Sequence, residues 1–192
     1  MLEMQGCELT YGKKKIAEIS DLVVSPKAKI IVTGNNGSGK TTLLKSIAGL
    51  VPIGKGHFQL DVPAEQVTFV HQEPILFLGD VYSNIIYGLK SRGLASEEIA
   101  RRLADWKPRL GIERLLSQQS HTLSGGEKKR VALVRAMITR PKLLLVDEPL
   151  AELDDEMGAE LADLLLNLED TTVLATSPRY DERFEGFSRC EL

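Results

Sequence analysis

The chain has 192 residues, 43% hydrophobic and 27% charged, with a formal net charge of −3. That length supports one sizeable core with at most a small lobe attached, and the charge balance leaves no broad cationic footprint, so no nucleic-acid partner is expected. No run of about 18 apolar residues could cross a bilayer as a helix, and Cys7 and Cys190 lack CxxC or histidine spacing, which argues for free thiols in a reducing compartment rather than a metal centre.

The opening Met1-Leu2-Glu3-Met4-Gln5 has no basic stretch leading into an apolar run, so no secretory leader is expected. Leu2 to Tyr11 and Ile16 to Val24 read as strands on either side of the polar turn Gly12-Lys13-Lys14, and the lysines at 13 to 15 read as solvated. Lys29 to Thr33 is an apolar, β-branched run suited to a buried strand of a parallel sheet. A glycine-rich loop follows, then a helix from Thr41 to Ala48 closed by Gly49. Val67 to Val70 is a further strand, and Val81 to Leu116 is helical in pattern, interrupted at Pro108 and Gly111.

Gly125 to Arg140 reads as an amphipathic helix stopped by Pro141, with Val131, Val134 and Ile138 on one face and Lys128, Arg135 and Thr139 turned elsewhere. Leu143 to Val146 and Thr171 to Ala175 are apolar strands flanking a helix from Glu156 to Leu168. Strands alternating with helices predict an α/β fold with a mostly parallel sheet, a small antiparallel β portion and an inserted α-helical lobe at approximately 81–140, all within one domain over 1–192.

Gly34-Asn35-Asn36-Gly37-Ser38-Gly39-Lys40-Thr41 fits G-x-x-x-x-G-K-[ST], between a buried strand and a helix, which is the context a phosphate loop requires. The glycines let successive N–H groups turn inward on an anion, and the helix that Thr41 and Thr42 open adds its positive dipole end. Lys40 supplies a full charge to the β- and γ-phosphates, and the Thr41 hydroxyl is placed to ligate Mg²⁺. This loop alone does not choose between kinase, GTPase and ATPase. Leu143 to Val146 runs into Asp147 and Glu148, where Asp147 can hold Mg²⁺ and Glu148 can polarise an attacking water.

Leu123-Ser124-Gly125-Gly126-Glu127 narrows the choice. It resembles the signature motif of ABC ATPases, and Leu123 to Asp154 is similar to that family throughout. Ser124 is a good N-cap, Gly125 and Gly126 leave backbone N–H groups open, and the helix beyond directs its dipole outward. The resemblance implies that ATP on one chain's phosphate loop is sandwiched against the signature of a second ABC ATPase subunit. It further implies that Tyr11 stacks on adenine, that Gln72 contacts Mg²⁺ or the attacking water, and that Asp154 crosses the dimer interface. Gln72 to Phe77 is similar to the surface that receives a helix from an integral membrane transport subunit. The implied location is cytoplasmic, peripheral on the inner face of the cell membrane.

Asp80 to Ile85 and Tyr87 to Lys90 are similar to importer ATPases. Lys40 to Gln72 is short for the family, which implies a trimmed antiparallel lobe. Ala151 and Glu152 stand where the family usually has serine and alanine. The other departure is Ser177, in Thr176-Ser177-Pro178, where the family carries a histidine that contacts the γ-phosphate. His57, His71 and His121 belong to earlier segments, and His71 reads as structural. The expected function is an ATP-binding and ATP-hydrolysing subunit of a membrane transporter, slowed by Ser177. Two alternatives stay open: a soluble ABC ATPase, for example in iron–sulfur assembly, and a catalytically weak nucleotide-binding regulatory module.

Overall fold

The computed structural model describes every residue except Lys13, and of Tyr11 the backbone alone. The antiparallel portion has three strands. β1 (Leu2–Tyr11) lies between β2 (Lys14–Val24) and a short strand, His57–Leu60, here β4. β2 starts at Lys14 rather than Ile16 because its pairing with β1 runs on to Tyr11, after a register shift between Leu9 and Thr10.

Five parallel strands form the second sheet: β3 (Lys29–Thr33), β5 (Val67–Val70), β6 (Leu143–Val146), β7 (Thr172–Ser177) and β8 (Ser188–Glu191), in the order β5-β6-β7-β3-β8. Their apolar residues alternate between two cores, as the period of two in a strand dictates. Ile30, Val32, Leu143, Leu145 and Leu174 pack with α1 (Lys40–Ile47) and β1, whereas Ile31, Leu144, Val146, Val173 and Ala175 pack with the helices of the opposite face. Register aligns Val70 with Val146, Val146 with Ala175, and Ala175 with Ile31. The carboxyl ends of these strands therefore finish together, and there the loops beginning at His71, Asp147, Pro178 and Gly34 converge, the usual place for a ligand in an open α/β sheet.

The 81–116 segment is helical as its pattern predicts, in two α-helices and two 3₁₀ turns, Arg109–Gly111 and Glu113–Leu115, with a further break at 92–95. Asp80 caps α2 (Val81–Ser91) by accepting from Ser83 N–H, and Gly93 at φ 71 turns the chain into α3 (Ser96–Trp106). α4 (Gly125–Met137) ends before Arg140, which sits at φ 53 just ahead of Pro141. Of the predicted polar side Thr139 is buried, whereas Lys128 and Arg135 are half-buried; α4 packs against both α2 and β5, and Lys129 and Arg130 are buried along with Val131, Val134 and Ile138. α5 (Asp155–Leu166) covers the same face of the sheet.

Candidate functional site

The phosphate loop joins β3 to α1, and its conformation needs its glycines. Gly37 and Gly39 lie at φ 86 and 105, where L side chains are strained, and a Cβ on Gly39 would come within 3.0 Å of Ala17. Lys40 is buried, and its Nζ donates to the carbonyls of Gly34 (2.7 Å) and Asn35 (3.1 Å), which holds the ammonium inside the loop. The Ser38 hydroxyl is buried with no hydrogen-bond partner among the described residues, and an anion in the loop would take it up. Asn36, Gly37, Gly39, Lys40, Thr41, Thr42, Gln72, Glu148 and Pro178 line one cavity of about 460 Å³.

Across this cavity stands the end of β6. Asp147 is 2% exposed and accepts two hydroxyl protons, Thr41 Oγ1 on Oδ2 and Thr176 Oγ1 on Oδ1, each at 2.7 Å. Thr176 is fully buried on β7, and its oxygen also accepts the Glu148 N–H at 2.9 Å. One hydroxyl thus fixes both acidic residues. Glu148 lies at φ 45, a left-handed conformation uncommon for a side-chain-bearing residue, and Gln72 Nε2 donates to its Oε2 at 2.9 Å. The threonine hydroxyl and carboxylate are hard oxygen donors and fit Mg²⁺.

The residues expected to form a signature, Ser124 to Glu127, are absent from the lining of that cavity. Ser124 and Glu127 form a complete capping box: Ser124 Oγ accepts Glu127 N–H at 3.3 Å, while Glu127 Oε2 accepts both the N–H and the hydroxyl of Ser124 at 3.0 Å. Those bonds hold the Glu127 carboxyl below the usual carboxylate range. Gly125 and Gly126 face the turn after β6, where a Cβ on Gly125 would come within 3.0 Å of Glu152 Oε2. Asp154 caps α5 by accepting Met157 N–H at 2.9 Å.

Ser177 Oγ donates to the carbonyl of Arg179 at 2.6 Å, and Ser177 lines a neighbouring cavity of about 220 Å³ with Glu148 and Thr176. Pro178, one residue on, reaches the phosphate-loop cavity instead. The Tyr11 side chain lies outside the described residues. His71 is exposed and packs its ring against Phe69 at 4.3 Å between centroids.

Two residues that the sequence pattern does not single out complete the arrangement. Thr176 is one, signalled only by a hydroxyl at the end of an apolar strand. Lys129 is the other, a cation in the middle of α4, and its burial pushes the ammonium below the ordinary lysine value against the pull of Glu152, Glu148 and Asp147.

The groove beside Gln72 is open, with a lining of mixed apolar and polar residues. Thr68, His71, Ile75, Phe77, Tyr87 and Arg135 are among the residues lining its roughly 490 Å³, with Ile75 82% and neighbouring Leu78 92% exposed. Arg135 donates to the Ile75 carbonyl at 2.9 Å and lies over the Phe77 ring.

The family model described as ABC transporter matches residues 17–151. A molybdate/tungstate import ATP-binding protein of Pyrococcus abyssi is 39% identical over 163 residues, covering 80% of this chain and 47% of that protein. An Fe(3+) ions import ATP-binding protein of Streptomyces coelicolor is 36% identical, covering 96% of this chain and 56% of its own length. The chain therefore spans about half the length of these curated relatives. Among solved structures, cbiO1 from Clostridium perfringens, part of the ABC transporter complex cbiONQ, superposes with a TM-score of 0.77 at 28% identity over 91% of this chain and 77% of that one. A dimeric ATP-binding cassette in a post-hydrolysis state bound to ADP and Pi gives a TM-score of 0.85 at 23% identity, covering 100% of this chain and 94% of its own, a likeness of fold.

Proposed function

Because the chain belongs to the ABC transporter family, we propose that it is an ATP-binding and ATP-hydrolysing subunit that energises a membrane transporter. The observation that carries the reading is the chain of bonds from Thr41 through Asp147 and Thr176 to Glu148, built across the mouth of a phosphate loop. Lys40 exchanges its loop carbonyls for β- and γ-phosphate oxygens, while the amides of residues 37 to 41 cradle the same phosphates. Thr41 and Asp147 would hold Mg²⁺, with Gln72 beside them, and the ion would supply neutralisation of the phosphate charge. Glu148, steadied by Gln72, positions and polarises the attacking water.

A second subunit is part of the proposal. The capped N-terminus of α4 is a second phosphate-type site, separate from the cavity that holds Lys40. Ser124, Gly125 and Gly126 of one subunit close on the nucleotide carried by the other, with Asp154 and Glu127 at the seam. The groove lined by Ile75, with exposed Leu78 beside it, would receive a helix of a membrane subunit, and a location on the inner face of the membrane is part of the same proposal. The import ATP-binding names of the curated relatives favour an importer.

Ser177 sets the rate. Its hydroxyl is engaged by the Arg179 carbonyl, so it supplies no charged donor to the γ-phosphate. Loss of one such donor slows the chemical step by about 10²–10³-fold. The test is steady-state hydrolysis of MgATP by the wild type, Glu148→Gln and Ser177→His. Turnover that is lost in Glu148→Gln and rises in Ser177→His supports the proposal. Equal rates in wild type and Glu148→Gln would make the chain a nucleotide-binding module, and an unchanged rate in Ser177→His would refute the role given to Ser177.

A further inference from the structure

Lys129 is 1% exposed and heads the fully buried side chains by size. A buried ammonium is unfavourable unless its protons are met. Here two of the three are met by main chain rather than by a carboxylate: Nζ donates to the carbonyl of Glu148 at 3.0 Å and to that of Ala151 at 2.8 Å. Both carbonyls belong to the turn that carries β6 into α5. That turn holds two side-chain-bearing residues in left-handed conformations, Glu148 at φ 45 and Glu152 at φ 66, which the chain adopts only where its surroundings impose them. Lys129 comes five positions after the N-cap Ser124, on the first turns of α4, so one side chain spans from the signature helix to the turn bearing Glu148.

The geometry points to Lys129 as a positioning residue that ties the Glu148 turn to the signature helix, and thereby sets where the Glu148 carboxylate stands. Thr176 fixes the same residue from the opposite side through its N–H, so the Glu148 backbone is held at both its amide and its carbonyl. The two clamps come from different elements, β7 and α4. A shift of the α4 N-terminus therefore reaches Glu148 through Lys129. The inference rests on the reading of Glu148 as the water-positioning carboxylate, and it deepens that reading.

The test compares wild type with Lys129→Met, Lys129→Arg and Glu148→Gln in the full chain. It reads kcat and KM for MgATP together with amide hydrogen exchange of the peptide covering residues 147–153. Lys129→Met is expected to lower kcat by about 10²-fold, the effect of misplacing a catalytic group by about 1 Å, with KM unchanged, since ground-state binding at Lys40 is untouched. The 147–153 peptide is expected to lose protection while the phosphate-loop peptide keeps it. Lys129→Arg, which retains donors on a long stem, is expected to recover most of the rate.

An unchanged kcat in Lys129→Met, a change in KM alone, or undiminished protection at 147–153 would overturn the assignment. If Lys129→Met does not fold, Lys129→Gln, which keeps a shorter donor, is measured in the same way. A wild type with no more turnover than Glu148→Gln would instead defeat the hydrolytic reading, and the exchange result would then decide the tether by itself.

Discussion

Removing the Thr176 hydroxyl is the sharpest perturbation available in the core of the site. Thr176→Val keeps the shape of the side chain and deletes two bonds at once, the one donated to Asp147 Oδ1 at 2.7 Å and the one accepted from Glu148 N–H at 2.9 Å. A hydrogen bond to a charged group contributes ~1.5–3 kcal/mol, and a buried N–H left without an acceptor costs ~1–3 kcal/mol. The two share one oxygen and so do not add in full; the expected loss is about 3 kcal/mol. With a urea slope of about 3 kcal/mol/M, the midpoint falls by about 1 M. Thr176→Ser keeps the hydroxyl and loses only a buried methyl, about 1 kcal/mol. Urea unfolding followed by circular dichroism measures both variants. Hydrolysis should fall further in Thr176→Val than in Thr176→Ser, because only the valine frees the Glu148 amide. Equal midpoints for the two variants, or a valine midpoint within about 0.2 M of wild type, would refute the reasoning.

Three further outcomes are expected. Lys40→Met should weaken MgATP binding by at least about 10²-fold in calorimetry, the equivalent of one charge-assisted contact worth about 3 kcal/mol; unchanged affinity would remove the phosphate-loop assignment. Ser124→Ala opens the capping box and should lower stability by about 1 kcal/mol, with loss of ATP-dependent association in a Glu148→Gln background, and association that persists would place the interface elsewhere. Hydrogen bonds from Arg101 and Arg102 hold the half-buried Glu98 carboxyl down at about 2, below its ordinary 4.5. Between those values the unfolded chain binds more protons, so the Glu98 contribution is complete above about pH 4.5 and disappears as pH falls through about 2. The melting-temperature difference between wild type and Glu98→Gln should be constant from pH 7 to about 5 and shrink below that; a difference that grows in acid contradicts the pairing.

Parts of this fold are legible in the sequence because one physical signal dominates them. Leu143 to Val146 is apolar throughout and is buried on both faces of the parallel sheet, and the loop from Gly34 to Thr41 declares itself by residues that only a tight anion cradle needs. β8 is illegible for the opposite reason. Ser188-Arg189-Cys190-Glu191 is a polar edge strand, held to β3 by main-chain pairing that leaves no mark in side-chain pattern. α4 misleads because Thr139, read on the polar side, is buried, and because helical periodicity does not reveal that Lys129 reaches two carbonyls or that Arg130 donates to the carbonyl of Leu110. The candidate site is legible as motifs, Lys40, Thr41, Asp147 and Glu148, whereas its clamps are not. Thr176 and Lys129 act through register and through a turn brought near by packing, and both are long-range facts.

The proposed function requires that this chain drive a membrane protein through an ATP-dependent contact. The most direct measurement is affinity purification of tagged Glu148→Gln chain from its native membranes with ATP present, beside the same variant carrying Ile75→Asp and Leu78→Asp. A polytopic membrane protein is expected with the first and none with the second, because two carboxylates would be forced into an apolar contact. Recovery of no membrane protein with either chain, or of the same one with both, would contradict it.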